Sequence, residues 1–81
     1  MRVTVRLFAQ LRDAAGMNTI DCDVPDGATI ADVWTAMTSR FGTLAAHTKA
    51  ISAARNAEYA RMNAAVHDGD EIAFLPPVSG G

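Results

Sequence analysis

The chain has 81 residues, 49% of them apolar, and a formal net charge of −2 at pH 7. A chain this short buries only roughly 60–65% of its extended surface, so one modest core is expected and no second domain, while the apolar fraction rules out disorder. The small acidic balance offers no electrostatic basis for holding nucleic acid or an anionic membrane, and no apolar run nears the ~20 residues of a membrane span. The N-terminus, Met1-Arg2-Val3-Thr4-Val5, alternates from its start and lacks the apolar stretch of a signal peptide. The single cysteine, Cys22, has no partner for an internal disulfide, which fits a reducing cytoplasm.

In chain order, Val3, Val5 and Leu7 share one parity and Arg2, Thr4 and Arg6 the other, which predicts a first strand. Phe8 falls on the polar parity. Ala9 to Ala15 is helix-forming but short, and Gly16 ends it after about one turn. Thr19 to Val24 predicts a second strand, with Ile20, Cys22 and Val24 inward and Asp21 and Asp23 toward water. Pro25-Asp26-Gly27 is a turn, since Pro presets φ and Gly accepts a positive one. Thr29 is placed to cap a helix, with Asp32 three residues on closing a capping box. Ile30, Val33, Trp34, Met37 and Phe41 follow at spacings of three and four, the stripe of a helix packed on a sheet, and Gly42 stands where a C-terminal glycine would stop it.

Thr43 to Ala50 predicts a short helical turn around Leu44-Ala45-Ala46. Ile51 to Arg55 predicts a third strand, Asn56-Ala57-Glu58 a turn, and Tyr59 to Met62 a short returning strand. After an Asp68-Gly69-Asp70 turn, Glu71 to Leu75 forms the last strand, with Ile72 and Phe74 inward. Pro76-Pro77 ends it, because Pro has no N–H to give a ladder. The order β-β-α-β-β-β, with a right-handed crossover, sets the last strand parallel to and beside the first. The expected class is α+β: a β-grasp, or ubiquitin-like, mixed sheet of about five strands with one main helix across one face. Residues 1–77 are read as this domain and residues 78–81 as a flexible tail.

That tail is Val78-Ser79-Gly80-Gly81. With glycine near ~7% of residues, a terminal pair arises about once in 200 chains, so it gains meaning only from what precedes it. Fully extended, the four residues reach roughly 13–14 Å. The glycines leave a carboxylate on a stalk narrow enough for another protein's channel, and Pro76-Pro77 stiffens the base of that stalk.

Four stretches carry a resemblance. They are Phe8-Ala9-Gln10-Leu11-Arg12 followed by Gly16; Pro25-Asp26-Gly27-Ala28-Thr29-Ile30; Asn56-Ala57-Glu58-Tyr59; and Asp68 through Gly81, ending Phe74-Leu75-Pro76-Pro77-Val78-Ser79-Gly80-Gly81. Together they span the chain, which resembles the family of small, sulfur-carrying subunits of molybdopterin synthase. Two positions depart from the family pattern: Arg55 precedes the turn asparagine where an aliphatic residue is usual, and Val66-His67 stand near a usual leucine.

The resemblance implies that the Gly81 carboxylate is the working group. A ubiquitin-activating-like adenylyltransferase consumes ATP to convert it to an acyl-adenylate, and a persulfide sulfur donor then leaves a C-terminal thiocarboxylate. The tail enters the large subunit of molybdopterin synthase and gives sulfur to a cyclic pyranopterin phosphate. The family also implies a heterotetramer of large and small subunits. No permanently bound cofactor is implied, and the chain is expected to have no active site of its own.

The partner-facing surface is sought where apolar residues break parity. Phe8 and Leu75 fall on the face away from the helix, at the ends of neighbouring strands, and Tyr59 can join them; with Pro76 and Pro77 they form the expected interface. The plainer reading is that they cover the sheet's rim. His47 and His67 lack metal-ligand spacing and are read as surface residues. Cys22 is read as core rather than nucleophile. Asp68-Gly69-Asp70-Glu71 lacks calcium-loop spacing. Three rivals stay open: a sulfur carrier for thiamine thiazole or cysteine synthesis, a ubiquitin-like modifier joined to lysines, and a plain interaction domain.

Overall fold

The alternating run Arg2–Leu7 forms strand β1, with Val3, Val5 and Leu7 buried. It pairs antiparallel with β2, Thr19–Asp23, placing Val5 opposite Ile20. The same Val5 lies opposite Ile72 of the parallel strand β5, Glu71–Leu75. β5 pairs on its other side with antiparallel β3, Ser52–Arg55, and β3 with β4, Glu58–Ala60, so the sheet runs β2-β1-β5-β3-β4. The computed structural model describes residues 1–77; the expected tail, Val78, Ser79, Gly80 and Gly81, lies outside the described residues.

Two helices precede β3: α1, Gln10–Ala15, ended by Gly16 at φ 75°, and α2, Ile30–Arg40. The capping box is made as read. The Asp32 N–H donates to Thr29 Oγ1 at 3.3 Å, and the Thr29 N–H donates to Asp32 Oδ2 at 2.9 Å. The N–H groups of Ile30 and Ala31 donate to the carbonyls of Ala64 (3.0 Å) and Met62 (2.7 Å), so a crossing segment satisfies the next open donors of the helix.

Ile30, Val33, Trp34 and Met37 face the sheet and are buried. Trp34 meets Phe74 edge-on, with ring centroids 4.9 Å apart, a geometry worth ~0.5–1.5 kcal/mol beyond the area buried. Its indole N–H donates to Thr48 Oγ1 at 3.1 Å, so the burial leaves no orphan donor. The expected β-grasp arrangement is the one found.

Four local expectations change. Gly42 is not a left-handed stop: Phe41 is the cap, at φ −125°, and Gly42 opens a 3₁₀ segment, Gly42–Ala50. That segment is far longer than the turn expected around Leu44, and it buries Leu44. β4 starts at Glu58 rather than Tyr59 and ends at Ala60, because the hairpin turns on Asn56 and Ala57 alone. His47 is half-buried rather than a surface residue, whereas the His67 side chain is 73% exposed. Arg55, the departure in β3, is half-buried, and its Nη1 donates to the Ala65 carbonyl at 2.6 Å, tying β3 to the segment that caps α2. Among the described residues, no helix is long and apolar enough to cross a membrane.

Candidate functional site

The sheet face turned away from α2 is set by the other strand parity. On β1 this parity carries Arg2, Thr4 and Arg6, and Phe8 follows them; on β5 it carries Glu71, Ala73 and Leu75. β3 adds Ala54, opposite both Ala73 and Tyr59 of the flanking strands. The small side chains of Ala54 and Ala73 let the surface dip, and larger ones stand around it. The result is a hollow of ≈ 300 Å³ lined by Phe8, Ala54, Ala57, Tyr59, Glu71, Ala73 and Leu75.

Three of the five residues named from sequence for the interface therefore come together. Phe8 is 38% exposed and Tyr59 84%; Leu75 is half-buried. Pro76 and Pro77 do not line the hollow; they follow Leu75 at the end of β5. The hollow thus lies at the root of the segment that leads to Gly81. Val78, Ser79, Gly80 and Gly81, the expected tail and working group, lie outside the described residues.

The rim is charged on one side. The Arg6 guanidinium sits 5.6 Å from the Phe8 ring centroid and its Nη1 lies 3.9 Å from Glu71 Oε2. Stacking of this kind fixes one face of the phenyl ring and leaves the other for contact. Two alanines hold positive φ beside the hollow: Ala9, after Phe8, at φ 51° and ψ −121°, and Ala57 at φ 71°. Holding a Cβ in such sparsely populated backbone costs on the order of 1–3 kcal/mol per residue. Positive-φ strain of this kind collects at binding surfaces.

Asp70, at the foot of β5, has a side chain 13% exposed. Burial alone would raise its pKa. The bond from Asn56 Nδ2 (2.9 Å) and that from the His67 N–H (2.7 Å) outweigh it and hold the carboxyl below its ordinary value of 3.8. Cys22 is buried on the opposite face; burial first, and then Asp23, push its thiol upward, away from the reactive thiolate.

Sequence reading missed the floor of the hollow, Ala54 and Ala73, and the partners Arg6 and Glu71. The signal was present in β5, where Glu71, Ala73 and Leu75 share a parity. It was weak in β3, where Arg55 on the inward parity obscured which face Ala54 took.

A family model described as the ThiS family matches residues 5–81. The chain belongs to the ThiS family. It is 36% identical, over all of both chains, to a Chlamydomonas reinhardtii protein named molybdopterin synthase sulfur carrier subunit. It is also 36% identical to small archaeal modifier protein 1 of Haloferax volcanii, covering 94% of this chain and 97% of that one. The crystal structure of that Haloferax protein matches with a TM-score of 0.87 at 33% identity and covers all of both chains. A complex of subunits 1 and 2 of the Helicobacter pylori molybdopterin-converting factor supplies a further match, with a TM-score of 0.70 at 26% identity and full coverage of both chains. Within the ThiS family the chain is thus a β-grasp protein of the group that holds sulfur carriers and ubiquitin-like modifiers.

Proposed function

We propose that this chain is the sulfur-carrier subunit of a molybdopterin synthase. Its Gly81 carboxylate is adenylated at the expense of ATP by a ubiquitin-activating-like enzyme. The terminal sulfur of a persulfide donor displaces AMP, and thiol cleavage of the donor's S–S bond leaves a C-terminal thiocarboxylate. That sulfur is soft, ionised at neutral pH and nucleophilic. Delivered through the large subunit, it is transferred to cyclic pyranopterin monophosphate to build the dithiolene of molybdopterin. The chain contributes the acyl terminus and the docking surface, while its partners supply the active sites.

One observation carries the reading: an apolar hollow with aromatic anchors lies at the root of a Gly-Gly terminus. Ordering a glycine tail in a partner's channel opposes binding by about 1–2 kcal/mol per residue, so contact elsewhere must offset it. Phe8, Tyr59 and Leu75 provide that contact beside the strand from which the tail leaves. The full-length relative named a molybdopterin synthase sulfur carrier, and the two-subunit Helicobacter complex, support the choice of pathway and of partner.

The test is intact-protein mass spectrometry after incubation with the adenylating enzyme, ATP and a persulfide donor. One terminal oxygen should be exchanged for sulfur, and deleting Gly81 or adding one residue after it should abolish the exchange without changing the circular dichroism. Exchange in the deletion variant would contradict the reading. The likeness to the Haloferax modifier favours a second use, isopeptide attachment to other proteins. Conjugate ladders on a denaturing gel, lost when Gly81 is deleted, would identify it.

A further inference from the structure

The β3–β4 hairpin turns on Asn56 at φ 50° and Ala57 at φ 71°. With Arg55 opposite Ile72, the next pair of the β3–β5 ladder is Asn56 and Glu71. In an antiparallel ladder such a pair exchanges two bonds, one N–H to C=O in each direction. Backbone makes the first: the Asn56 N–H donates to the Glu71 carbonyl at 2.8 Å. The side chain makes the second: the Glu71 N–H donates to Asn56 Oδ1 at 2.9 Å. The left-handed backbone of Asn56 turns its own carbonyl into the hairpin, and the side-chain amide oxygen takes over the carbonyl's place in the ladder.

The other end of the same amide is also used. Asn56 Nδ2 donates to Asp70 Oδ1 at 2.9 Å. Asp70 Oδ2 accepts from the His67 N–H at 2.7 Å, and the Asp70 carbonyl accepts from the Thr4 N–H at 2.9 Å. One side chain therefore joins the hairpin tip to the foot of β5 and, through Asp70, to β1. These are the two walls of the hollow: Ala57 and Tyr59 stand on the hairpin side, and Glu71, Ala73 and Leu75 on β5.

We propose that Asn56 is a positioning residue for partner docking: by completing the β3–β5 ladder with its side chain, it sets the hairpin wall carrying Tyr59 against the β5 wall of the hollow. The proposal rests on the docking reading above. Asparagine meets each of the demands at this position. Asparagine tolerates positive φ and offers an acceptor to Glu71 and a donor to Asp70. Aspartate keeps the acceptor but sets two carboxylate oxygens at the 2.9 Å contact with Asp70. Glycine keeps the backbone and loses both bonds.

The experiment is calorimetric titration of a molybdopterin synthase large subunit with four forms of the full chain: wild type, Asn56→Gly, Tyr59→Ala and the double variant, each with a thermal melt. Each single change is expected to weaken binding about tenfold, and the double change about tenfold as well rather than a hundredfold, because both act through one wall. Wild-type affinity in Asn56→Gly, or full additivity in the double variant, overturns the proposal while leaving the docking reading intact. Failure of the wild type to bind overturns both.

If Asn56→Gly does not fold, Asn56→Asp serves. Its carboxylate faces Asp70, with Arg55 as the nearby cation, the His67 imidazole beside Asp70 and Glu71 as the nearby anion, so the pair shares a proton more readily as pH falls. Its affinity relative to wild type should rise from pH 7.5 to pH 5, and a flat ratio overturns the proposal.

Discussion

The two halves of the sheet face opposite α2 share one backbone and differ in side chains. On the β2–β1 half, Arg2 Nε meets Asp23 Oδ1 at 3.1 Å with the two side chains 67% and 75% exposed, and Thr4 and Asp21 lie beside them. On the β5–β3–β4 half, the same parity carries Ala73, Leu75, Ala54 and Tyr59, with Phe8 at the seam. Solvated ion pairs of the first kind contribute ~0–1 kcal/mol and bind little. Aromatic and aliphatic anchors around a small-residue floor hold desolvated contact, which is where interfaces concentrate their energy. An interface here is thus a change of residue type along a fixed alternation, with no change of fold.

The largest effect expected from breaking the contrast is on docking. Leu75→Asp or Phe8→Asp should weaken binding of the large subunit by about a hundredfold or more, at the scale of interface anchors, while Asp21→Asn on the polar half changes it less than about twofold. Titration calorimetry checks the affinities and a cooperative thermal melt checks the fold. A lost melt in either variant would mean that the residue is core and that the two halves are not separable in this way. Filling the floor is the next test. Ala73→Leu should weaken docking about tenfold by occupying the hollow, with the melting temperature held; undiminished affinity would show that no partner group enters it.

Two smaller effects concern what holds the apolar half in shape. Ala57→Gly relieves a Cβ at φ 71° and removes one methyl from the lining of the hollow. The relief of about 1–2 kcal/mol is partly offset by glycine's greater unfolded-state entropy. A net gain of up to ~1 kcal/mol should raise the melting temperature by several degrees, given about 4–8 °C per kcal/mol at this size. A lower melting temperature would contradict the strain argument.

Asp70 is held below its ordinary value of 3.8 in the folded chain. It therefore binds its proton less readily folded than unfolded. Its contribution is fully present above pH ~3.8 and lost as pH falls through the folded value. In urea melts, the stability gap between wild type and Asp70→Asn should be widest at neutral pH and narrow below about pH 3.8. An unchanging gap would rule out the linkage.

The sequence made the sheet legible where burial is one-sided. β1 and β5 alternate cleanly, and Thr29 with Asp32 announces α2, so element order alone predicts the parallel pairing of first and last strands. Local signals were weaker where tertiary contacts decide. Gly42 looks like a helix stop, yet Phe41 ends α2, and the 3₁₀ segment is tied to the core by the buried Leu44 and by the Trp34–Thr48 bond. Phe8 and Leu75 were recognisable because they violate parity, and Tyr59 because it follows the hairpin turn beside them. Ala54 and Ala73 were not, since alanine on a solvent face carries no pattern, and only the register places them side by side. Asn56 reads as an ordinary turn residue, because nothing local shows that its amide reaches Asp70 and Glu71, 14 and 15 positions away.

The contrast itself is tested most directly by following backbone amide resonances of the isotope-labelled chain as the large subunit is added. Resonances of Phe8, Ala54, Tyr59, Ala73 and Leu75 should shift or broaden first, while those of Asp21 and Asp23 stay in place. Perturbation centred on β2 and the Arg2–Asp23 side, with the hollow silent, would contradict the account.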